Sequence, residues 1–120
     1  MKHLLLTAIA AMLLVGCGPG VNIHEAARTG NIEAVKQHIA AGADVNAKND
    51  WGWTPLTYAA INDHEELAEL LIAQGADVNA KDDGGETTLD FASRNEQTEI
   101  ADLLRKHGGK AGEELKAEGK

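Results

Sequence analysis

Apolar residues recur at helical spacing along most of the chain, and glycine-containing polar segments separate them. In the middle of the chain, residues 55–62 and 65–74 each carry such a pattern, with a polar turn between them. Thr54 can cap the first segment, and Pro55 suits a first helical position, where the backbone N–H has no partner anyway. Gly75 follows the second segment, where chains commonly turn with positive φ. The pattern predicts two short helices joined by a turn.

This unit repeats with a period of 33 residues. The segment GADVNAK at residues 42–48 recurs unchanged at residues 75–81. Two further blocks align at the same spacing: residues 54–60 with 87–93, and residues 67–71 with 34–38 and 100–104. A fixed period of this size predicts a stack of units, each too small to bury its own apolar face. We therefore expect an all-α solenoid of about three helix-turn-helix units joined by hairpin-like loops, at about 23–50, 51–83 and 84–108.

The letters GWTPLTYAA and EELAELLIAQGADVNAK, together with the period, resemble ankyrin repeats over roughly residues 23–108. Tetratricopeptide repeats have a similar period but lack the Gly-Ala-Asp-Val-Asn loop. The resemblance implies that the hairpin tips and the exposed sides of the first helices line one concave, protein-binding face.

The outer units depart from the repeat in ways that suit terminal caps. Gln37 and His38 replace two leucines of the second unit, which indicates an N-terminal cap facing water. In the third unit, Arg105 and Lys106 provide a polar outer face for a C-terminal cap.

Two further departures concern single positions. Thr57 and Asp90 stand where the family usually has histidine, so we expect the usual hydrogen bond from that ring to the loop to be absent. Asp63 and Glu96 stand where the first unit has Gly30. If that position needs positive φ, Glu96 is strained and the third unit is the weakest.

The first twenty residues differ from the repeats. Residues 4–15 form an apolar run, interrupted only by Thr7, that is too short to span a bilayer but has the length of a signal-peptide core. A buried N-terminal helix is the alternative, although the run has no polar stripe. The run ends in Leu14-Val15-Gly16-Cys17, which resembles a bacterial lipobox; a free buried cysteine is the other interpretation.

The lipobox resemblance implies a signal peptide at residues 1–16, lipidation of Cys17 and a tether over residues 17–22. Gly18 follows the cysteine, which implies the outer membrane, with the protein facing the periplasm and attached to the membrane only by its lipid. At the other end, residues 109–120 contain a single leucine among many charges, which predicts a charged mobile tail or a frayed helix.

Charge and composition narrow the function. The net charge of −8 argues against nucleic acid as a partner and is compatible with a basic protein. The histidines of the repeats are scattered, and none has a second histidine at helical zinc-site spacing, so we interpret them as surface or turn residues: His24, His38, His64 and His107. The loop at residues 82–86 resembles a calcium loop only faintly. We expect a monomer with no enzymatic activity, cofactor or metal.

The candidate partner-binding residues are those that the repeat register places on the hairpin tips and first helices. They are Arg28, Asp50, Trp51, Trp53, Ile61, Asn62, Asp83, Glu86, Arg94 and Asn95. Trp53 could bind a partner or brace the next hairpin, whereas Trp51 lies at a turn where polar residues are usual, which favours binding. Tyr58 and Phe91 share one register position and are expected to be stacked core.

The sequence thus predicts an envelope-anchored protein-binding module. Within binding, the alternative is an immunity-type inhibitor of a secreted toxin. A structural or assembly factor of an envelope complex is a third possibility. A catalytic lipoprotein is the least favoured, because the sequence offers no acid–base or metal set.

Overall fold

A computed structural model describes residues 22–119, and these residues form a stack of helix pairs. The helices are α1 (Ile23–Thr29), α2 (Ile32–Ala40), α3 (Pro55–Ile61), α4 (Glu65–Ala73), α5 (Thr88–Arg94), α6 (Thr98–Lys106) and α7 (Gly112–Ala117). The predicted signal peptide, Cys17 and the tether up to residue 21 lie outside the described residues. Within residues 22–119, no helix is long and apolar enough to cross a membrane.

Each of the three units is a pair of helices in contact: α1 with α2, α3 with α4, and α5 with α6. The first helices form one row, in which α3 contacts both α1 and α5, and α4 contacts α6 in the second row. The predicted all-α solenoid of three helix-turn-helix units is therefore confirmed. Among residues 22–119, no helix exceeds nine residues, so none of these helices would be stable alone and stacking must stabilise them.

The core runs between the two rows and is built from residues at equivalent positions in successive units. Leu71 and Leu104 are fully buried at one such position, and Leu67 and Ile100 at another. In the first unit, Gln37 and His38 are half-buried rather than directed fully into water. His38 Nε2 is buried without a hydrogen-bond partner among the described groups. By contrast, Arg105 and Lys106 are exposed, as expected of a terminal cap.

The first helices of units two and three begin with reciprocal caps. The Thr54 hydroxyl accepts from the Thr57 amide, and the Thr57 hydroxyl accepts from the Thr54 amide at 3.2 Å. In unit three, the Asp90 carboxylate accepts from the Thr87 amide at 2.9 Å in the same way. The residues that replace the family's histidine therefore satisfy amides at the helix start that would otherwise have no partner.

His24 holds the equivalent position in the first unit, and its ring does contact a loop. Its Nε2 lies 2.7 Å from the Ala47 carbonyl oxygen, and the side chain is half-buried. The interpretation of His24 as a surface or turn residue was therefore wrong. The signal for this contact is the repeat register, in which His24 lies 33 residues before Thr57 and 66 before Asp90.

The turn between paired helices has positive φ in all three units. φ is 74° at Gly30, 58° at Asp63 and 58° at Glu96. The position between the paired helices therefore does need positive φ, as the predicted strain at Glu96 required. Asp63 and Glu96 adopt a left-handed conformation that glycine would adopt without cost.

The two copies of the GADVNAK segment each contain an asparagine that links one loop to the next. Asn46 Oδ1 accepts from the Asp77 amide at 2.7 Å, and its Nδ2 donates to the Gly75 carbonyl at 3.2 Å. One period later, Asn79 makes the same two bonds, to the amide of Lys110 and the carbonyl of Gly108. We call each pair of bonds an asparagine clamp. An amide side chain, with one donor and one acceptor, is suited to bridging both groups.

The C-terminal segment ends the stack with a helix. Residues 109–120 were predicted as a mobile tail or a frayed helix, whereas the structure places α7 there with Leu115 buried. The Gly112 amide donates to Asp90 at 2.8 Å, and the Thr87 hydroxyl donates to the Lys110 carbonyl at 2.7 Å. One leucine and these polar bonds dock the segment, a combination that low apolar content alone did not indicate.

Candidate functional site

Two hairpin tips project from the row of first helices. In the first, the Asn49 amide donates to the Trp53 carbonyl, and the Asn49 side chain accepts from the amides of Trp51 and Trp53. In the second, Asp82 makes the equivalent bonds, with its amide donating to Glu86 and its side chain accepting from Gly84 and Glu86. An Asx residue at the same position in each tip thus folds the backbone and fixes where its side chains lie.

The two tips dock directly against each other. The Asp83 amide donates to the Trp51 carbonyl at 3.0 Å, and Trp53 Nε1 donates to Asp82 Oδ2 at 3.2 Å. Gly52 lies at the contact with φ of 82°, and a Cβ there would stand 2.9 Å from Asp82 Cα. The tips therefore form one continuous surface.

An aromatic row runs across the units on this surface; we define it as Tyr58, Trp53 and Phe91. The Trp53 ring meets Tyr58 edge-on at a centroid distance of 5.4 Å and Phe91 edge-on at 5.5 Å. Tyr58 and Phe91 were expected to be stacked core. Phe91 is buried and Tyr58 packs half-buried against the core, but Trp53 stands between the two rings. The Tyr58 hydroxyl also accepts from Asn49 Nδ2 at 2.8 Å, which holds the row against the first tip.

Trp51 lies on top of the aromatic row. Its ring contacts Trp53 at a centroid distance of 5.4 Å and a tilt of 49°, yet the residue is 61% exposed. It is the only large hydrophobic residue exposed among residues 22–119. The Trp53 ring thus supports one part of the indole, and the rest is an apolar surface open to solvent.

Ion pairs neutralise both arginines of the candidate set. Arg28 Nε donates to Glu25 at 2.8 Å, and this hydrogen bond, together with the arginine's charge, holds the pKa of the Glu25 carboxyl below its ordinary value. Arg94 pairs with Glu86, and its guanidinium lies 5.2 Å from the centroid of Phe91. These pairs leave two exposed carboxylates at the tips, Asp50 and Asp83, that have no ion pair among the described residues.

The structure brings most of the predicted residues to this surface. Trp51, Trp53 and Asp83 lie at the contact between tips, and the ion pair of Glu86 with Arg94 joins the second tip to the end of α5. The remaining candidates occupy helix ends: Arg28 and Ile61 within the last turns of α1 and α3, and Asn62 and Asn95 at the caps that follow α3 and α5. The Asn62 side chain donates to its own helix, at the Tyr58 carbonyl.

Sequence reasoning missed Asn49 and Asp82, which shape the two tips. Their equivalent positions, one period apart and each just before a tip, were the available signal. Within residues 22–119, no group of histidine, cysteine, aspartate and glutamate side chains is arranged to hold a metal ion.

The stacked helix pairs and docked hairpin tips define a repeat protein of the α-solenoid class. A family model described as "Ankyrin repeats (3 copies)" matches residues 23–114. The match covers more than half of the chain, so the chain belongs to the ankyrin-repeat family. Ankyrin repeats are in general protein-interaction modules, and membership favours a non-catalytic role.

Curated relatives share the repeats within longer chains. The mitochondrial disaggregase of Homo sapiens is 42% identical over 70 residues, which are 53% of this chain and 10% of that protein. Protein phosphatase 1 regulatory subunit 27 of Mus musculus is 40% identical over 49 residues, 41% of this chain and 32% of that protein. Ankyrin repeat and SAM domain-containing protein 3 of Homo sapiens is 40% identical over 52 residues, 42% of this chain and 8% of that protein. The chain thus spans at most about a third of the length of these relatives.

Proposed function

We propose that this protein binds another protein through the surface formed by its two hairpin tips and the half-buried Trp53 and Tyr58 of the aromatic row. The observation that carries the proposal is Trp51, which remains 61% exposed although its neighbours are packed and hydrogen-bonded. Burying a tryptophan removes about 150–250 Å² from water, and tryptophan is enriched among the residues that dominate interfaces. A partner that covers Trp51 gains this apolar contact with little ordering cost, because the indole is already held.

The proposal extends to where binding occurs. A lipid on Cys17 would anchor the protein in the bacterial envelope, facing the periplasm, and the repeats would present their tips to partners there. The lipobox-like sequence Leu14-Val15-Gly16-Cys17 supports this part. An assembly factor of an envelope complex would use the same anchor.

The charge of the tips favours one variant of this function, an immunity-type inhibitor of a secreted toxin. Asp50 and Asp83 are exposed without an ion pair among the described residues, and the chain carries a net charge of −8. A basic toxin would associate rapidly with such a surface. Cells that lack this protein should then die only when the toxin is present, whereas loss of an assembly factor would be harmful without it.

The test compares partner capture and melting temperature on the same variants of the full-length protein. Trp51→Ala should weaken capture from envelope extract by about 2 kcal/mol or more, with an almost unchanged melting temperature, because Trp51 is exposed. Trp53→Ala should reduce both, because it removes three ring contacts and leaves Asp82 without its indole donor.

Glu69→Ala provides the matched control, since Glu69 is exposed on α4, outside the row of first helices. It should leave both capture and melting temperature unchanged. Full capture by Trp51→Ala, with a captured protein that binds the wild type specifically, would show that the hairpin tips are not the binding surface.

A further inference from the structure

We infer that the partner places an arginine side chain on the exposed face of Trp51, between the carboxylates of Asp50 and Asp83. This inference rests on the proposed function and specifies the chemistry of the partner's central contact. It predicts that the bound segment is basic and that a guanidinium, rather than an apolar side chain, covers the indole.

The geometry of Trp51 leaves room for such a contact. Trp53 packs against it at a tilt of 49°, so only part of the indole is covered, and the residue as a whole stays 61% exposed. The faces of an aromatic ring carry partial negative charge, and tryptophan attracts cations most strongly of the aromatic residues. The same surface already holds one such contact, since the Arg94 guanidinium lies 5.2 Å from the Phe91 centroid.

The carboxylates around Trp51 set the sign of the ligand. Asp50 precedes Trp51 in the first tip, and the Asp83 amide donates to the Trp51 carbonyl at 3.0 Å. A Cβ on Gly52 would stand 2.9 Å from Asp83 Oδ1, so this carboxylate lies beside the backbone next to Trp51.

Three other carboxylates of the surface already have partners within the chain. Glu86 pairs with Arg94, Glu25 pairs with Arg28, and Asp82 accepts from the Trp53 indole. Asp82 still keeps its charge, because its donors are neutral N–H groups, and a cation lies near: the exposed Lys48 ammonium, which donates to the Lys81 carbonyl at 2.9 Å. Asp50 and Asp83 are the exposed carboxylates of the tips beside Trp51. An acidic or purely apolar partner segment would leave these carboxylates repelled or desolvated without a counter-charge.

Arginine suits this arrangement better than lysine. Its planar guanidinium can lie flat on an indole while its edge donates to carboxylates on either side. An ammonium is a compact, strongly hydrated charge, which must lose more water to contact the same ring. We therefore expect arginine to be preferred, with lysine as the weaker ligand.

The first experiment uses a short peptide in which arginines alternate with glycines, added to the full-length protein at low salt. The chain has two tryptophans, so its NMR spectrum has two indole N–H signals, which Trp51→Phe assigns. We expect the Trp51 indole signal to shift most, because the Trp53 N–H is held by Asp82. The matching lysine peptide should bind more weakly, and the matching glutamate peptide should not bind.

The second experiment separates the ring from the charges. Trp51→Leu keeps an apolar side chain but loses the aromatic face, and should weaken arginine-peptide binding about twofold to fivefold, whereas Trp51→Phe should retain more of it. Asp50→Asn and Asp83→Asn should each weaken binding about threefold at low salt. Glu66→Gln with Glu69→Gln is the control, since it removes two exposed charges on α4 and should change little.

The outcomes distinguish this inference from the function on which it rests. If Trp51→Ala loses partner capture while Trp51→Leu keeps both capture and peptide binding, the tips bind a protein but not through an arginine. Equal losses from the aspartate pair and the control pair would show that the peptide senses only net charge, which would also overturn the inference. If no Trp51 variant changes capture, the proposed function itself fails.

Discussion

At the scale of single residues, the turn between paired helices shows one backbone conformation adopted by three different side chains. Gly30, Asp63 and Glu96 all have positive φ. Glycine adopts it freely, aspartate tolerates it better than most residues, and glutamate has no such advantage. At Gly30, the absent side chain also makes space for the His64 ring, which a Cβ would approach to 2.7 Å.

Replacing Glu96 by glycine should therefore stabilise the protein, by about 1 kcal/mol, because relief of the left-handed backbone strain exceeds the extra entropy of the unfolded chain. Glu96→Asn should gain part of this. Thermal unfolding followed by circular dichroism measures the effect.

Asp63→Gly serves as the comparison and should gain less, because aspartate already tolerates the conformation. A lower melting temperature for Glu96→Gly than for the wild type would show that the Glu96 side chain makes a compensating contact.

At the scale of elements, α4 places two adjacent leucines in different environments. Leu71 is fully buried between the helix rows, whereas Leu70 is half-buried. Neighbouring positions on a helix differ in direction by about a quarter turn, so the register decides which side chain enters the core.

Leu71→Ala should cost about 2–5 kcal/mol, because it removes buried methyl groups and leaves a cavity. Leu70→Ala removes the same atoms from a half-buried site and should cost clearly less. Urea unfolding of both variants supplies the comparison. Equal costs would mean that unit two does not pack as its register indicates.

The docking of α7 depends on the absence of a side chain at Gly112. A Cβ there would stand 2.2 Å from the Gly85 carbonyl oxygen. Gly112→Ala should therefore displace α7 from the second hairpin tip, and faster hydrogen exchange in residues 112–117 should report the change.

Gly84→Ala is the matched control, since a Cβ at Gly84 would meet only Asp82 Oδ1, at an ordinary 3.5 Å. It should leave exchange in α7 unaltered. Unchanged exchange in Gly112→Ala as well would show that α7 does not rely on close approach to the tip.

At the scale of the whole molecule, the fold could be predicted from the sequence because a 33-residue period is typical of stacked helical repeats. Thr54 caps α3 as predicted, and Thr87, one period later, caps α5. The glycines at the same register position all have positive φ: Gly42, Gly75 and Gly108. Helix starts and stops are local signals, and repetition confirms each of them at a second site.

The candidate site was less predictable, because its contacts join different units, as between Trp53 and Phe91, or a tip and the helix that follows it, as between Glu86 and Arg94. The register placed Trp53 on the surface, but not between Tyr58 and Phe91, and it gave no indication that Arg94 neutralises Glu86. A charge change at Glu86 would therefore break an ion pair within the chain as well as alter the binding surface. Such pairings depend on rotamers and tip geometry, which residue spacing does not specify.

The proposed lipid anchor concerns the molecule as a whole, and Cys17 lies outside the described residues. We predict that Cys17→Ser blocks lipid attachment and releases the protein from membranes or leaves an uncleaved precursor. Each buried methylene of an acyl chain contributes about 0.8 kcal/mol, so several chains anchor firmly and none does not. Labelling with a palmitate analogue and membrane fractionation test this.

A Cys17→Ala variant should behave like Cys17→Ser, because neither side chain provides the thiol. Continued labelling and membrane association of both variants would contradict the lipobox interpretation. The alternative, a buried N-terminal helix, would then be favoured.

The asparagine clamps make the chain extensible by whole periods. Asn46 and Asn79 contact a carbonyl and an amide two residues apart at the same place in the following unit, and the backbone there is alike in each case. If residues 42–74 were copied in tandem, Asn46 of the first copy could therefore bond Gly42 and Asp44 of the second as it now bonds Gly75 and Asp77. Gene duplication could thereby add a further tip with its own pair of tryptophans and keep the clamps between units unchanged. Only the contact between the duplicated tips would differ, because Trp53 would face Asn49 of the copy where it now donates to Asp82.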